Sequence, residues 1–169
     1  MKSYSQSIEY LYSKLPNYQK YGSKDLNFGL SNIKSFCKKL NNPETKLKTI
    51  HIAGTNGKGS VAHIVASILQ SKGLYVGIYS SPHIIDFRER IKVNGEYISK
   101  EYITKFVNSH LNYINNNDLS FFELTAGLSF DYFNYKKVDY AIIEVGMGGR
   151  LDATNVITVS YTHLTLPTR

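Results

Sequence analysis

Residues 54–60 read Gly54-Thr55-Asn56-Gly57-Lys58-Gly59-Ser60, and their flanks narrow the fold more than any other feature of the chain. Before them lies a short β-branched run, KTIHIA at 48–53. After them, Ser60 to Lys72 carries Val61, Ile64, Val65, Ile68 and Leu69 at helical spacing and stops at Gly73. A strand entering a helix through a glycine-rich turn is the geometry of a phosphate-binding loop. Glycines let backbone N–H groups turn inward, and the first helical turn adds partial positive charge. Lys58 then reaches the terminal phosphates, and the Ser60 hydroxyl is placed to meet a phosphate-bound Mg²⁺. The general pattern has its first glycine where this chain has Ile52, so the loop is a variant starting at Gly54. The alternative is a glycine-rich turn that binds nothing.

The rest of the chain alternates helices and strands. Ile8, Leu11, Tyr12 and Leu15 predict a helix over 5–15 that Pro16 closes. A polar stretch, YGSKDLNFG, reads as a loop. Leu30, Ile33, Phe36, Cys37 and Leu40 predict a second helix, stopped at Asn41-Asn42-Pro43. LYVGIYS at 74–80 reads as a strand, and Ile91-Lys92-Val93 before Asn94-Gly95 as a strand and tight turn. Ile103, Phe106, Val107, His110, Leu111 and Ile114 predict a helix, and 121–135 another. VDYAIIEVG at 138–146 is a buried strand running into a second glycine cluster. This order predicts an α/β domain with a mainly parallel sheet flanked by helices, its site at the carboxyl ends of the strands.

Both glycine clusters fall there. Glu144 closes an apolar strand just before Val145-Gly146-Met147-Gly148-Gly149. An acid at this place in phosphate-loop proteins holds Mg²⁺ directly or through water. A solvated charge at a strand end is the other reading of Glu144 alone. Four of the five histidines, His51, His63, His83 and His110, fit no metal-ligand spacing and receive no role.

Composition excludes several classes. No stretch approaches the roughly 18 apolar residues of a membrane span, and the start shows no signal-peptide pattern. The single cysteine, Cys37, cannot form an internal disulfide and reads as a small apolar residue on a helix, which fits a reducing, cytoplasmic compartment. A net charge of +7 admits nucleic-acid binding, but the lysines are scattered along the chain. Sites for nucleotide phosphates and carboxylates account for the charge without nucleic acid or membrane.

Four segments in order, HIAGTNGKGSVA (51–62), YSSPHIIDFRERIKVNG (79–95), FFELTA (121–126) and EVGMGGRLDATN (144–155), resemble the folylpolyglutamate synthase/dihydrofolate synthase family of the Mur ligase superfamily. The resemblance implies a P-loop ATPase domain of the Mur ligase central-domain type. It implies ATP-dependent ligation of L-glutamate to dihydropteroate or folate through an acyl phosphate, with ATP and Mg²⁺ as cofactors and a monomeric enzyme. By position, Gly54, Thr55, Asn56, Gly57, Lys58, Gly59 and Ser60 resemble the ATP loop, with Lys58 in the catalytic role. Ser81 and Glu144 match the family's Mg²⁺ positions; without the resemblance, Ser81 is a turn residue before proline. Ser120, Phe121, Phe122 and Glu123, with Leu151, Asp152 and Ala153, match segments that line the pteroate pocket. Leu26, Asn27 and Phe28 match a loop that approaches it. Phe122 suits stacking on a flat pterin and Asp152 suits its N–H groups, with core packing the other reading for Phe122.

The chain departs from the family after Asn155. There the family continues to an Ile-Thr pair and an Asp-His pair whose histidine completes the metal site; this chain reads VITVSYTHLTLPTR. His163 has no Asp-His context and receives no ligand role. The expected organisation is therefore an amino-terminal part of the ATP-binding domain over 1–157 and an atypical tail over 158–169. Translated sequencing-adapter read-through or a natural strand would explain that tail. The glutamate-binding domain is expected to be absent and the isolated chain inactive as a ligase. Three competitors remain: a Mur-type ligase acting on a peptidoglycan precursor, a non-catalytic nucleotide-binding regulator, and a basic nucleic-acid module. Only about fifty residues precede Gly54, which disfavours the first.

Overall fold

The computed structural model describes residues 1–15, 29–146, 149–157 and, for the backbone only, 162–164. Five α-helices occur among them: α1 (Tyr4–Tyr12), α2 (Ser31–Lys39), α3 (Lys58–Ser71), α4 (Lys100–Asn115) and α5 (Phe121–Lys136). The strands are β1 (Thr49–Ala53), β2 (Val76–Tyr79), β3 (Ile91–Val93), β4 (Glu96–Tyr97), β5 (Tyr140–Glu144) and β6 (Thr162–Leu164). They form one sheet in the order β4-β3-β2-β5-β1-β6. β2, β5, β1 and β6 are parallel, and β3 and β4 add an antiparallel hairpin at one edge. The expected mainly parallel α/β fold is therefore present.

Local chemistry sets the element ends. Ser3 with Gln6, and Ser120 with Glu123, close reciprocal capping boxes on α1 and α5. Asn94 and Gly95 both take positive φ, 48° and 84°, as the tight β3–β4 turn requires. β5 reads YAIIE and lies between β2 and β1, so its apolar residues on both faces are covered. β6 extends the parallel ladder by pairing 162–164 with His51 to Ala53; residues 158–161 and 165–169 lie outside the described residues, as do Pro16, the 21–29 loop up to Phe28, and Met147-Gly148.

The two faces of the sheet are packed unequally. The larger cluster gathers Ile33, Phe36, Phe106, Phe121, Phe130 and Phe133 from α2, α4 and α5. Cys37 belongs to it, and burial pushes its thiol above the ordinary range. On the other face α3 lies against Ile52, Val76, Ile78 and Ile142. Here the apolar face expected for α3 needs correction. The helix buries Ala62 and Ala66, while Ile64 and Ile68 are 60% and 57% exposed. Small side chains let the helix approach the sheet closely, so the contact line runs through alanines and the larger residues flank it. Leu15 is likewise outside its helix and 43% exposed, because α1 ends at Tyr12.

His110 on α4 packs edge-on against Phe36 and Phe106, and its Nδ1 is buried without a hydrogen-bond partner. Burial lowers its pKa from 6.5, against an opposing pull from Asp131 and with a smaller push in the same direction from Lys39. The unfolded chain thus binds this proton more readily than the native one. Its contribution to stability is complete above pH 6.5 and is lost as pH falls below that value. His110→Phe should therefore flatten the decline of unfolding free energy between neutral and mildly acidic pH. Urea titrations of both proteins across that range check this; an unchanged slope refutes it.

Candidate active site

The carboxyl ends of β1, β2 and β5 bring the sequence-predicted residues together. β1 ends at Ala53, and the loop that follows reaches Gly57, which caps α3 in the left-handed region at φ 76°. That conformation strains any side chain and explains the glycine. Lys58 Nζ donates to the carbonyls of Gly54 at 2.9 Å and Thr55 at 3.4 Å, so its ammonium arches across the loop. Thr55, Asn56, Gly57 and Ser60 are exposed. The N–H groups at the start of α3 have no intrahelical acceptors and, with Lys58, make this end of the helix suited to an anion.

β5 delivers Glu144 to the same place. Its side chain is 3% exposed, and its Oε2 accepts the Ser81 N–H at 3.0 Å. A Cβ at Gly59 would lie 3.6 Å from Glu144 Oε2, so the carboxylate sits directly beside the phosphate-type loop. Ser81 follows β2 and begins a cis peptide bond to Pro82. Its Oγ lies 3.8 Å from the Cβ position of Gly146, next to the second glycine cluster. Ser81 and Glu144 are thus hard oxygen donors on one side of the loop. This pair fits Mg²⁺, which needs few protein ligands because phosphates and water fill its octahedron.

The segment after Ser81 is held by a carboxylate clasp. Glu89 accepts from the N–H groups of Ile84, Ile85 and Asp86 at 2.8, 3.0 and 2.7 Å. These bonds hold its carboxyl below the usual range. Asp86 in turn pairs with Arg88 at 2.6 Å, which lowers the Asp86 pKa.

The segments matched to a pteroate pocket converge as well, though several of their side chains are engaged locally. Glu123 Oε2 accepts from both the N–H and the hydroxyl of Ser120, each at 2.8 Å. Phe121 is buried, and Phe122 is half-buried against the same cluster as Ala153. Asp152 accepts from Gly146 N at 3.0 Å, from Thr154 N at 2.9 Å and from the Thr154 hydroxyl. It therefore shapes the 146–154 loop; a Cβ at Gly146 would come within 3.1 Å of its Oδ2. Leu151 is 47% exposed. Leu26, Asn27 and Phe28 lie outside the described residues.

Sequence reading missed two histidines. His51 Nε2 lies 2.9 Å from Thr154 Oγ1, tying β1 to the Asp152 loop. Burial lowers the His51 pKa, against Asp152. His83 Nε2 lies 2.8 Å from the Tyr12 hydroxyl, and its Nδ1 accepts from Arg90 Nε at 2.8 Å. No spacing rule signals either, because Thr154 and Tyr12, which they meet, lie in distant segments. Among the described residues no group of three or more His, Cys, Asp or Glu could hold a metal, and no helix is long and apolar enough to cross a membrane.

Comparison with known proteins bears on the family and the fold. No protein-family model matches the chain. It is 41% identical over 153 residues to the dihydrofolate synthase/folylpolyglutamate synthase of Bacillus subtilis, covering 86% of this chain and 35% of that protein. It is 37% identical over 163 residues to the folylpolyglutamate synthase of Lacticaseibacillus casei, covering 92% and 36%. The crystal structure of the Thermotoga maritima folylpolyglutamate synthase superposes with a TM-score of 0.81 at 46% identity, over 92% of this chain and 36% of that one. The chain belongs to the folylpolyglutamate synthase/dihydrofolate synthase family. Its fold is accordingly of the Mur ligase type. The chain spans little more than a third of the relatives it matches, 35% and 36% of the first two. A folylpolyglutamate synthase complex with AMPPCP and folate is also similar, at a TM-score of 0.78 and 35% identity.

Proposed function

We propose that this chain is the nucleotide- and pteroate-binding part of a ligase that joins L-glutamate to dihydropteroate or folate. The observation that carries the reading is the meeting of three groups from distant segments: the Gly54–Ser60 loop, Ser81 and the buried Glu144. ATP phosphates would sit on the loop N–H groups, with Lys58 moving from the Gly54 and Thr55 carbonyls onto them. Mg²⁺, held by Ser81 and Glu144, would supply charge neutralisation during phosphoryl transfer.

The family resemblance implies the chemistry, and these placements suit it. The substrate carboxylate attacks the terminal phosphorus, ADP leaves, and an acyl phosphate forms. The amine of glutamate then attacks the acyl carbon, phosphate departs, the nitrogen gives up a proton to solvent, and the amide remains. Lys58 and the loop N–H groups stabilise charge that develops on the phosphoryl oxygens. Residues 120–123 and 151–153 flank the acid, with Phe122 available for its flat ring. In this reading the residues over 1–157 supply the nucleotide-binding unit.

Titration of the chain with MgATP by calorimetry, and with pteroic acid by fluorescence, tests the reading. Saturable binding of both is expected, without glutamate-dependent ADP release. ATP binding without pteroate binding would favour a nucleotide-binding regulator. Steeply salt-dependent DNA binding would instead favour the nucleic-acid module.

A further inference from the structure

Arg90 is 6% exposed, and its neighbours are unusual for a buried cation. The sole ion pair among the described residues joins Arg88 to Asp86, so Arg90 forms no ion pair within them. Its guanidinium lies 5.2 Å from the centre of the Phe121 ring, and its Nη1 is buried without a partner. Its Nε donates to His83 Nδ1 at 2.8 Å. Keeping a buried cation in this way is costly, so the contact it makes with His83 is the feature to explain.

A guanidinium has only donors, so the bond from Arg90 fixes the direction of every bond after it. His83 Nδ1 must present its lone pair, which places the imidazole proton on Nε2. That Nε2–H then donates to the Tyr12 hydroxyl oxygen at 2.8 Å. Tyr12 accepts from His83, and its own O–H is left to donate elsewhere. No acceptor for it occurs among the described residues. The ring that carries this hydroxyl is fixed by packing: it stacks on Phe121 at 5.6 Å and 11°, and meets Phe87 edge-on at 6.3 Å. Tyr12 is half-buried, so its hydroxyl end remains reachable.

We propose that Arg90, His83 and Tyr12 form a one-directional hydrogen-bond relay whose end, the Tyr12 hydroxyl, donates to an acceptor atom of the heteroaromatic acid bound beside Phe121. The inference rests on the reading that residues 120–123 line that acid's pocket. Tyr12 is the binding residue; His83 and Arg90 are positioning residues that act through it. The relay also discriminates. A ligand edge that presents a carbonyl oxygen or a bare ring nitrogen is accepted, and one that presents an N–H at the same point meets a donor. Chained bonds polarise one another, which strengthens the final donation.

Pteroic acid binding to the chain, read by fluorescence, tests the relay. Tyr12→Phe removes one neutral hydrogen bond and should weaken binding about three- to tenfold. His83→Phe should weaken it equally, and the double variant should be no weaker than either single one. His83→Gln keeps one acceptor and one donor flanking a single carbon and should restore most of the affinity, which a purely structural role would not predict. Nitrogen NMR of His83 should report a protonated Nε2 and a bare Nδ1, and thermal melting confirms that each variant is folded. Wild-type binding with an unaffected Tyr12→Phe, or a His83 proton on Nδ1, overturns the relay and leaves the proposed function intact. Failure of the wild-type chain to bind pteroic acid overturns both.

Discussion

Phe133→Ala is expected to lower the unfolding free energy by about 3–5 kcal/mol, the usual range for deleting a fully buried aromatic ring. Phe133 is 0% exposed on α5 and lies over β2. Its ring explains the glycine in that strand: a Cβ at Gly77 would lie 2.7, 2.8 and 3.0 Å from three atoms of the ring. Gly77→Ala should therefore cost about 1–3 kcal/mol by overpacking, although glycine is itself a poor strand residue. The double variant separates these effects. With the ring removed, the new methyl group fills part of the void and restricts the unfolded backbone. Gly77→Ala should then be neutral or stabilising, giving a coupling above 1 kcal/mol in a urea-denaturation cycle. An equal cost of Gly77→Ala in both backgrounds would show that something other than Phe133 demands the glycine.

That pair shows where sequence reading succeeds and where it stops. Elements governed by neighbours along the chain were legible: the helix over 121–135, the Asn94-Gly95 turn, the apolar run of β5 and the loop around Lys58. Each carries its signal within a few residues. The buried face of α3 was not legible, because Ala62 and Ala66 register weakly as apolar positions while the exposed Ile64 and Ile68 register strongly. Contacts made across the sheet were also hidden. The Ser81–Glu144 bond spans 63 positions, and the His51–Thr154 contact spans 103. Resemblance to a family supplied Ser81; periodicity had no means to. Asp152 illustrates a different limit. The resemblance matches it to the pteroate pocket, while its carboxylate is bonded to Gly146 and Thr154, a role that only folded geometry reveals.

Glu144→Gln and Lys58→Ala should weaken nucleotide binding in distinguishable ways. Glutamine keeps an oxygen for the Ser81 N–H, now accepted by Glu144 at 3.0 Å, and removes the charge. It should leave ATP binding without metal unchanged and abolish the gain that Mg²⁺ gives. That loss should be at least the roughly 10–100-fold seen when a partner outside the ligand shell is removed. Lys58→Ala removes charge-assisted bonds worth about 1.5–3 kcal/mol, so ATP affinity should fall roughly 10- to 150-fold with or without Mg²⁺. Unfolding cannot mimic the first result. Glu144 is 3% exposed and has no ion pair among the described residues, so neutralising it removes a desolvation cost. Glu144→Gln should thus be at least as stable as the wild type while losing its response to Mg²⁺. A variant that keeps that response places the metal away from Glu144, and one that loses stability shows that the carboxylate is compensated within the fold. Calorimetric titration of ATP with and without Mg²⁺, beside thermal melts of both variants, distinguishes these outcomes.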